Sequence, residues 1–405
     1  MASTPKLSIC IPSRNRQIYL QSAIQGVLRT QRTDVEFVFA DNSDDPSIMN
    51  RFMENITDSR VKYLPTEDNI LSMVDNWERT VTATTGDWVV VVGDDDYMDP
   101  DAAALILRLE AVRPDADVIG WTPLYYPWPD GQPPLTNLII PLENKVVNVP
   151  REILLGRILS WNDTTSGIPV SGMTIYHHAV RRSLLEKIRS TYGRFFENPI
   201  VDYDNAIKNI VHGRVFLTCQ RAYSVMGACP ESNTYSLSRL ADMRKKVRAF
   251  GDDLGRDPNG EEGLDSFPFR MEQGVTATIG QTIHWYKTKY GLRYGKWERN
   301  FVRACARNVE YFRNREDFDL VRDAYQRSID VWHGGKFKDD FKPVFQGDIP
   351  LTRVTGFSED RVYIDYDTPG IDSAASFHDF ACDVMTLTDE IEGDGVTFSF
   401  PAKAG

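Results

Sequence analysis

Cysteine is scarce in this chain. The five residues in 405, Cys10, Cys219, Cys229, Cys305 and Cys382, lie far apart with no CxxC pair. That argues against a disulfide framework or a sulfur-bound zinc module, and for reduced, mostly buried thiols in the cytoplasm. Long apolar runs are missing as well. None reaches the ~18 residues a membrane helix needs, and no basic region with an apolar segment opens the chain. The expectation is a cytoplasmic protein without a membrane span, with peripheral contact at the inner face of the membrane left open. Surplus positive charge is absent too, since 46 Lys and Arg stand against 58 Asp and Glu, a net charge of −12. A nucleic-acid partner, whose phosphates demand a basic surface, is not expected. Nor does a phosphate-cradling glycine loop, GxGxxG or GxxxxGKS/T, follow the first strand, which removes the best-known dinucleotide and P-loop readings. What remains is a globular composition, 41% hydrophobic and 26% charged, in a chain long enough for one large or two ordinary domains.

The most informative stretch is 86–100. The apolar run Trp88, Val89, Val90, Val91, Val92 is bounded by Gly86 and Gly93 and followed by Asp94, Asp95 and Asp96. Such a run reads as a strand buried on both faces of a largely parallel sheet. The acids then sit at its carboxyl end, where open α/β sheets bind ligands. Three adjacent carboxylates repel one another unless a cation neutralises them. Carboxylate oxygens without His or Cys suit Mg²⁺ or Mn²⁺, which fill their other positions with water and substrate phosphate. A helix cap would account for a single acid: Asp99, before Pro100, is expected to cap the next helix.

Upstream, strand and helix patterns alternate. Strands are expected over 7–12, 35–40 and 61–64, each followed by apolar residues at helical spacing: Leu20, Ile24 and Val27; Ile48, Phe52 and Ile56; Leu71, Val74, Trp77 and Val81. The alternation predicts a doubly wound, mostly parallel sheet. Its loops bring Arg14 and Arg16, Asp41, and Asn69 to the edge that carries the acids.

The first strand ending in Ile11-Pro12, the turn from Phe39 to Asp45, Asn69 followed by Asn76-Trp77, and the strand with its acidic end together resemble the family 2 glycosyltransferases of the GT-A fold, over roughly residues 1–235. The resemblance implies an inverting, nucleotide-sugar-dependent transferase using Mn²⁺ or Mg²⁺. It puts Pro12, Arg14, Asp41 and Asn69 at the nucleoside and Asn76 near the donor. Asp94 and Asp96 bracket the DxD motif as metal ligands, with Asp94 and Asp95 also at the donor. Many members carry an arginine at or beside Asn76, and this chain has none there. In 195–207 the resemblance places Asp202 at the catalytic acid, with Val201 where the family has Glu. Inverting transfer needs such a carboxylate to take the acceptor proton. Asp204 is the reserve, since either acid could simply favour the start of a helix.

Elsewhere the reading is coarser. The proline-rich loop 127–134 is either an acceptor-shaping loop or a plain connector, and a helix is expected over 151–161. A strand over 171–176 is expected to run into a helix opened by His177 and His178, whose roles read as structural because adjacent residues face different sides of a helix. The polar loop 229–236 could fold over a donor diphosphate. The division expected is a GT-A domain over 1–236, a helical domain over 237–343 and a small β-rich extension over 344–405, open to oligomerisation or acceptor binding. The function this supports is transfer from a UDP-sugar to a glycan or lipid-linked acceptor, in bacterial surface polysaccharide synthesis. The alternatives are a sugar nucleotidyltransferase and a non-catalytic sugar-nucleotide or glycan-binding module.

Overall fold

The computed structural model describes residues 4–129, 137–163, 166–169, 172–232, 240–293, 297–347 and 354–391. The first half alternates as the apolar periodicity predicts: β1 (Leu7–Ser13), α1 (Gln17–Val27), β2 (Val35–Asp41), α2 (Ser47–Met53), β3 (Val61–Leu64), α3 (Met73–Thr82) and β4 (Trp88–Val91). There follow β5 (Tyr97–Met98), α4 (Ala102–Val112), β6 (Val118–Trp121), β7 (Leu124–Pro127), β8 (Leu138–Pro141), β9 (Val146–Asn148) and α5 (Arg151–Ser160). Then come β10 (Ala179–Arg181), α6 (Arg182–Tyr192), α7 (Val201–His212), β11 (Phe216–Cys219) and β12 (Ser224–Ala228). The rest is helical through α8 (Leu240–Leu254), α9 (Val275–Lys289), α10 (Glu298–Val309) and α11 (Arg315–Val331), before β13 (Gly356–Phe357), β14 (Arg361–Ile364) and α12 (Ala374–Cys382).

The central sheet has eight strands in the order β3-β2-β1-β4-β10-β6-β11-β9. β1, β2, β3 and β4 are mutually parallel, β10 runs against both β4 and β6, and β9 runs against β11. This is the doubly wound, mostly parallel α/β fold expected. Because β1, β2 and β4 run the same way, the loops after them meet at one edge, with Ser13 beside Asp41 in register.

Successive residues of β4 serve opposite faces. Val89 and Val91 join a core with Cys10 and Val38 that continues into the helical segment through Ile283 and Phe301. Trp88 and Val90 join Ile9, Phe37, Ile24 and Leu105, and this second core reaches Phe377 of α12. Both later segments thus pack on the sheet rather than apart from it. In the last of them, β13 and β14 extend β8 into a three-stranded sheet. The strand pattern at 395–400 lies outside the described residues.

One local expectation holds and another changes. Asp99 caps the turn that leads into α4, its Oδ1 accepting from the Asp101 amide at 2.9 Å and its carbonyl from the Ala102 amide at 3.1 Å, although β5 pairs with β12 just before it. No strand runs over the described residues 172–176, where Tyr176 makes a single bridge to Val91, and α6 starts at Arg182 rather than at the histidines. His177 instead sits in the left-handed region at φ 64°.

Candidate active site

The carboxyl edge of the sheet opens into a cavity of about 350 Å³. The first loop contributes Pro12 and Arg16, the acidic turn Gly93 and Asp95, and α3 Met73 and Trp77. Ile200, Val201 and Asp202 enter from the start of α7. Across from them α8 presents Met243, Lys246, Val247 and Phe250, which share one face because they recur at i, i+3, i+4 and i+7. Tyr176, Gly227, Met271 and Val275 also line it.

The three acids have different jobs although all are buried. Asp94 Oδ2 accepts from Ser13 Oγ at 2.6 Å, and Oδ1 lies 2.8 Å from Arg16, a charge contact without in-line hydrogen-bond geometry. Burial pushes its carboxyl up to about 7 against the pull of Arg16. Asp95 alone of the three lines the cavity. Its Oδ1 lies 3.3 Å from Arg16, Oδ2 accepts from the Cys229 amide at 3.1 Å, and its carbonyl accepts from Trp128 Nε1 at 2.7 Å.

Asp96 is turned away from the cavity and held by three hydrogen-bond donors. Its Oδ2 accepts from the Gly93 amide at 2.6 Å and Tyr176 OH at 2.8 Å, with His177 Nε2 at 3.1 Å, while Oδ1 accepts from the Gly227 amide at 2.7 Å. Burial would raise its pKa, but His177 and the two amides outweigh that and hold the carboxyl below its ordinary value.

This arrangement decides which acids suit a divalent cation. Asp94 and Asp95 offer hard oxygens beside the cavity, now bridged by the Arg16 guanidinium, and one or two carboxylates plus substrate phosphate are what Mg²⁺ or Mn²⁺ requires. Asp96, expected from the sequence as a metal ligand, is not among the residues lining the cavity, and its oxygens already accept from the Gly93 and Gly227 amides and from Tyr176 OH.

The other expected residues divide similarly. Pro12 and Asp202 line the cavity. Asp41 is buried at the end of β2, taking the Ser43 hydroxyl at 2.6 Å on Oδ1 and only a long 3.5 Å contact from Thr66 on Oδ2. Burial pushes its carboxyl up. Asn76 is buried, donating to Ser13 O at 3.4 Å and accepting from Arg79 Nε at 2.8 Å. Arg79 also donates to the carbonyls of Asp41 and Pro65, so the arginine one turn beyond Asn76 ties the loops together. Asn69 is exposed. Arg14 turns to Asp253 of α8 at 2.6 Å and Asp44 at 3.3 Å, so Arg16 is the first-loop cation at the acids.

Asp202 and its reserve separate cleanly. Asp202 is half-buried on the cavity, whose lining also includes Ile200, Val201, Met271 and Val275, and burial pushes its carboxyl up. Asp204 is fully buried. It accepts from Tyr286 OH and the Asn198 amide on Oδ1, and from the Glu197 amide and Lys208 Nζ on Oδ2, both of the latter at 3.0 Å. Lys208 is itself 0% exposed. Lys208 keeps Glu197 at 3.2 Å, so Asp204→Asn is expected to destabilise the fold by roughly 1–3 kcal/mol, the cost of a buried donor losing a charged acceptor. Urea denaturation checks it, and a shift under about 1 kcal/mol would place Lys208 on Glu197 alone.

Lys246 was missed in the sequence, where it is one cation among Arg244, Lys245 and Arg248. Its placement three residues after Met243 and one before Val247 would have put it on the inward stripe. Its Nζ donates to the carbonyls of Glu231 and Ser232, and burial lowers its pKa. His177 and His178 also divide: His178 bonds the carbonyls of Thr174 and Trp121, while His177 reaches Asp96. Of the two loops read as substrate-shaping, 130–134 and 233–236 lie outside the described residues.

Among known proteins, the model of Glycosyl transferase family 2 matches residues 8–188. The GalNAc(5)-diNAcBac-PP-undecaprenol beta-1,3-glucosyltransferase of Campylobacter jejuni is 25% identical over 107 residues, 26% of this chain and 34% of that protein. The chain thus matches about a third of the length of that curated relative. Among solved structures, S. aureus TarS 1-349 in complex with UDP-GlcNAc aligns with a TM-score of 0.44 at 14% identity, over 89% of this chain and 99% of that one. Mannosyltransferase PcManGT from Pyrobaculum calidifontis, in complex with GDP-Man and Mn2+, aligns with a TM-score of 0.38 at 14% identity, over 84% and 85%. Residues 8–188, which carry the acidic turn and the strands around it, are thus similar to glycosyl transferase family 2.

Proposed function

We propose that the chain is an inverting glycosyltransferase, moving a sugar from a UDP-sugar to a hydroxyl of a glycan or lipid-linked acceptor in bacterial surface polysaccharide synthesis. The observation that carries this is one cavity holding Asp95 with the cations Arg16 and Lys246, and Asp202 on a separate element in an apolar setting. The undecaprenol-linked compound in the Campylobacter jejuni relative's name supports the lipid-linked reading. No helix among the described residues is long and apolar enough to cross a membrane, and action at the cytoplasmic face of a membrane is part of the proposal.

In this reading Arg16 and Lys246 hold the donor diphosphate, and Pro12 and Asp41 flank the nucleoside. Asp94 and Asp95 would hold a Mn²⁺ or Mg²⁺ ion, which when bound supplies Lewis-acid stabilisation of the leaving diphosphate. Asp202 takes the proton of the acceptor hydroxyl as that oxygen attacks the anomeric carbon from the face opposite the diphosphate. The anomeric C–O bond breaks, its electron pair leaves with the diphosphate, and configuration inverts. Because burial raises the Asp202 pKa, its carboxylate is a stronger base than an exposed aspartate, and it works only when ionised. Turnover should fall as pH drops through that raised value.

Thermal shift with UDP- and GDP-sugars, with and without Mn²⁺, tests the donor site, because a bound ligand raises apparent stability. UDP-sugars are expected to stabilise most, and a response to GDP-sugars alone would overturn the nucleotide assignment. Arg16→Ala and Lys246→Ala should each raise donor KM by about tenfold or more, the scale of one charge-assisted hydrogen bond. Slow hydrolysis of the donor without acceptor separates an enzyme from a binding module, which would show none.

A further inference from the structure

The acidic turn is held from behind by a buried polar chain that the proposed chemistry does not use. Asp96 closes the turn on itself: its amide donates to Gly93 O at 3.3 Å and its Oδ2 accepts the Gly93 amide. On that oxygen sit Tyr176 OH and His177 Nε2. The other ring nitrogen of His177, Nδ1, is 2.9 Å from Ser224 Oγ, and that hydroxyl accepts from Trp121 Nε1 at 2.8 Å. His177 is 1% exposed, and its Nε2 lies 3.1 Å from Asp96 Oδ2 in a close polar contact that is not in line as a hydrogen bond, which leaves Nε2 a buried polar atom with no other partner among the described residues.

His177 also holds a backbone conformation that costs energy in a residue other than glycine, and strain of this kind persists where the surroundings over-determine it. Here they do. The His177 amide donates to Val91 O, the last residue of β4, at 2.9 Å, and the Val91 amide donates to Ile175 O at 2.9 Å, which pins the loop beside the strand that launches the acids. The left-handed turn then drives the imidazole inward between Asp96 and Ser224.

We infer that His177 is a positioning residue: its ring ties Asp96 to the Trp121–Ser224 pair and so fixes the direction in which neighbouring Asp95 meets the donor. Slack in Asp96 is transmitted directly to Asp95, because a β-carbon on Gly227 would lie 1.8 Å from the Asp95 carbonyl oxygen, so the Gly227 and Asp95 backbones touch. Asp96 Oδ1 holds the amide of that same glycine. The inference rests on Asp95 belonging to the donor site.

The test compares His177→Phe, which keeps the ring and loses both nitrogens, with His177→Gln, whose amide can still donate to Asp96. Phe is expected to raise donor KM about tenfold with a smaller change in kcat, and Gln to recover most of the loss. A donor KM for Phe within twofold of wild type overturns the inference, as does equal impairment by Phe and Gln. Should Phe fail to fold, Ser224→Ala decides: a donor KM raised about threefold or more is expected, and an unchanged one contradicts the role. If wild type takes up no nucleotide sugar, the donor reading fails separately. The His177 imidazole nitrogen resonances then decide: a shift of Nε2 in Asp96→Asn supports the tie, and an unshifted signal removes it.

Discussion

Asp202→Asn is expected to lower turnover by about 10²-fold or more, the usual loss when a general base is removed, while donor KM and melting temperature barely change. The substitution is nearly isosteric. The N-cap of α7 is Ile200, with no side-chain cap bond, so Asp202 supplies that helix only the modest favourable field of an acid in the first turn, about 0.3–1 kcal/mol. Charge is thus removed with little else. The acid limb of the pH–rate profile should vanish with it, since that limb reports ionisation of the base. Loss of donor binding in parallel would place Asp202 at the metal and diphosphate instead. Near-normal turnover would remove it from the chemistry, and Asp204, locked against Lys208 and Tyr286, could not take its place.

The second large effect separates Asp95 from Asp96. Asp95→Asn keeps an acceptor for the Cys229 amide but loses the charge facing the cavity. It should abolish metal-dependent donor binding by calorimetry and leave the fold intact. Asp96→Ala should do the reverse in order of importance. It strands the Gly93 and Gly227 amides and the Tyr176 hydroxyl, at about 1–3 kcal/mol for each buried group left unpaired, so the fold itself weakens by several kcal/mol. Equal stability of Asp96→Ala and wild type, with donor binding gone, would restore Asp96 as the ligand and displace Asp95.

The acidic turn also shows where sequence reading stops. The apolar run into Gly93 identifies the strand and the edge it serves, because burial on both faces leaves only that pattern. It carries nothing to tell three aspartates apart. Their directions are set by what surrounds them: Arg16 behind Asp94, the Cys229 amide under Asp95, and His177 and Gly227 around Asp96. Arg14 and Arg16 are likewise equivalent on paper. Asn15 between them adopts φ 57°, which breaks the alternation, so one arginine meets the acids and the other meets α8. The contributions of α8, α9 and α12 are contacts between distant parts of the chain, which no local periodicity encodes. His177 and His178 do not face different sides of a helix, because they precede α6 and His177 sits in the left-handed region.

The most direct measurement is nucleoside diphosphate release by the full chain from a panel of UDP- and GDP-sugars with Mn²⁺, with the anomeric configuration of the released or transferred sugar followed by NMR. Release from a UDP-sugar, an inverted anomeric centre, and loss of both in Asp202→Asn are expected. A retained configuration, or release that Asp202→Asn leaves untouched, would contradict inverting transfer with Asp202 as base.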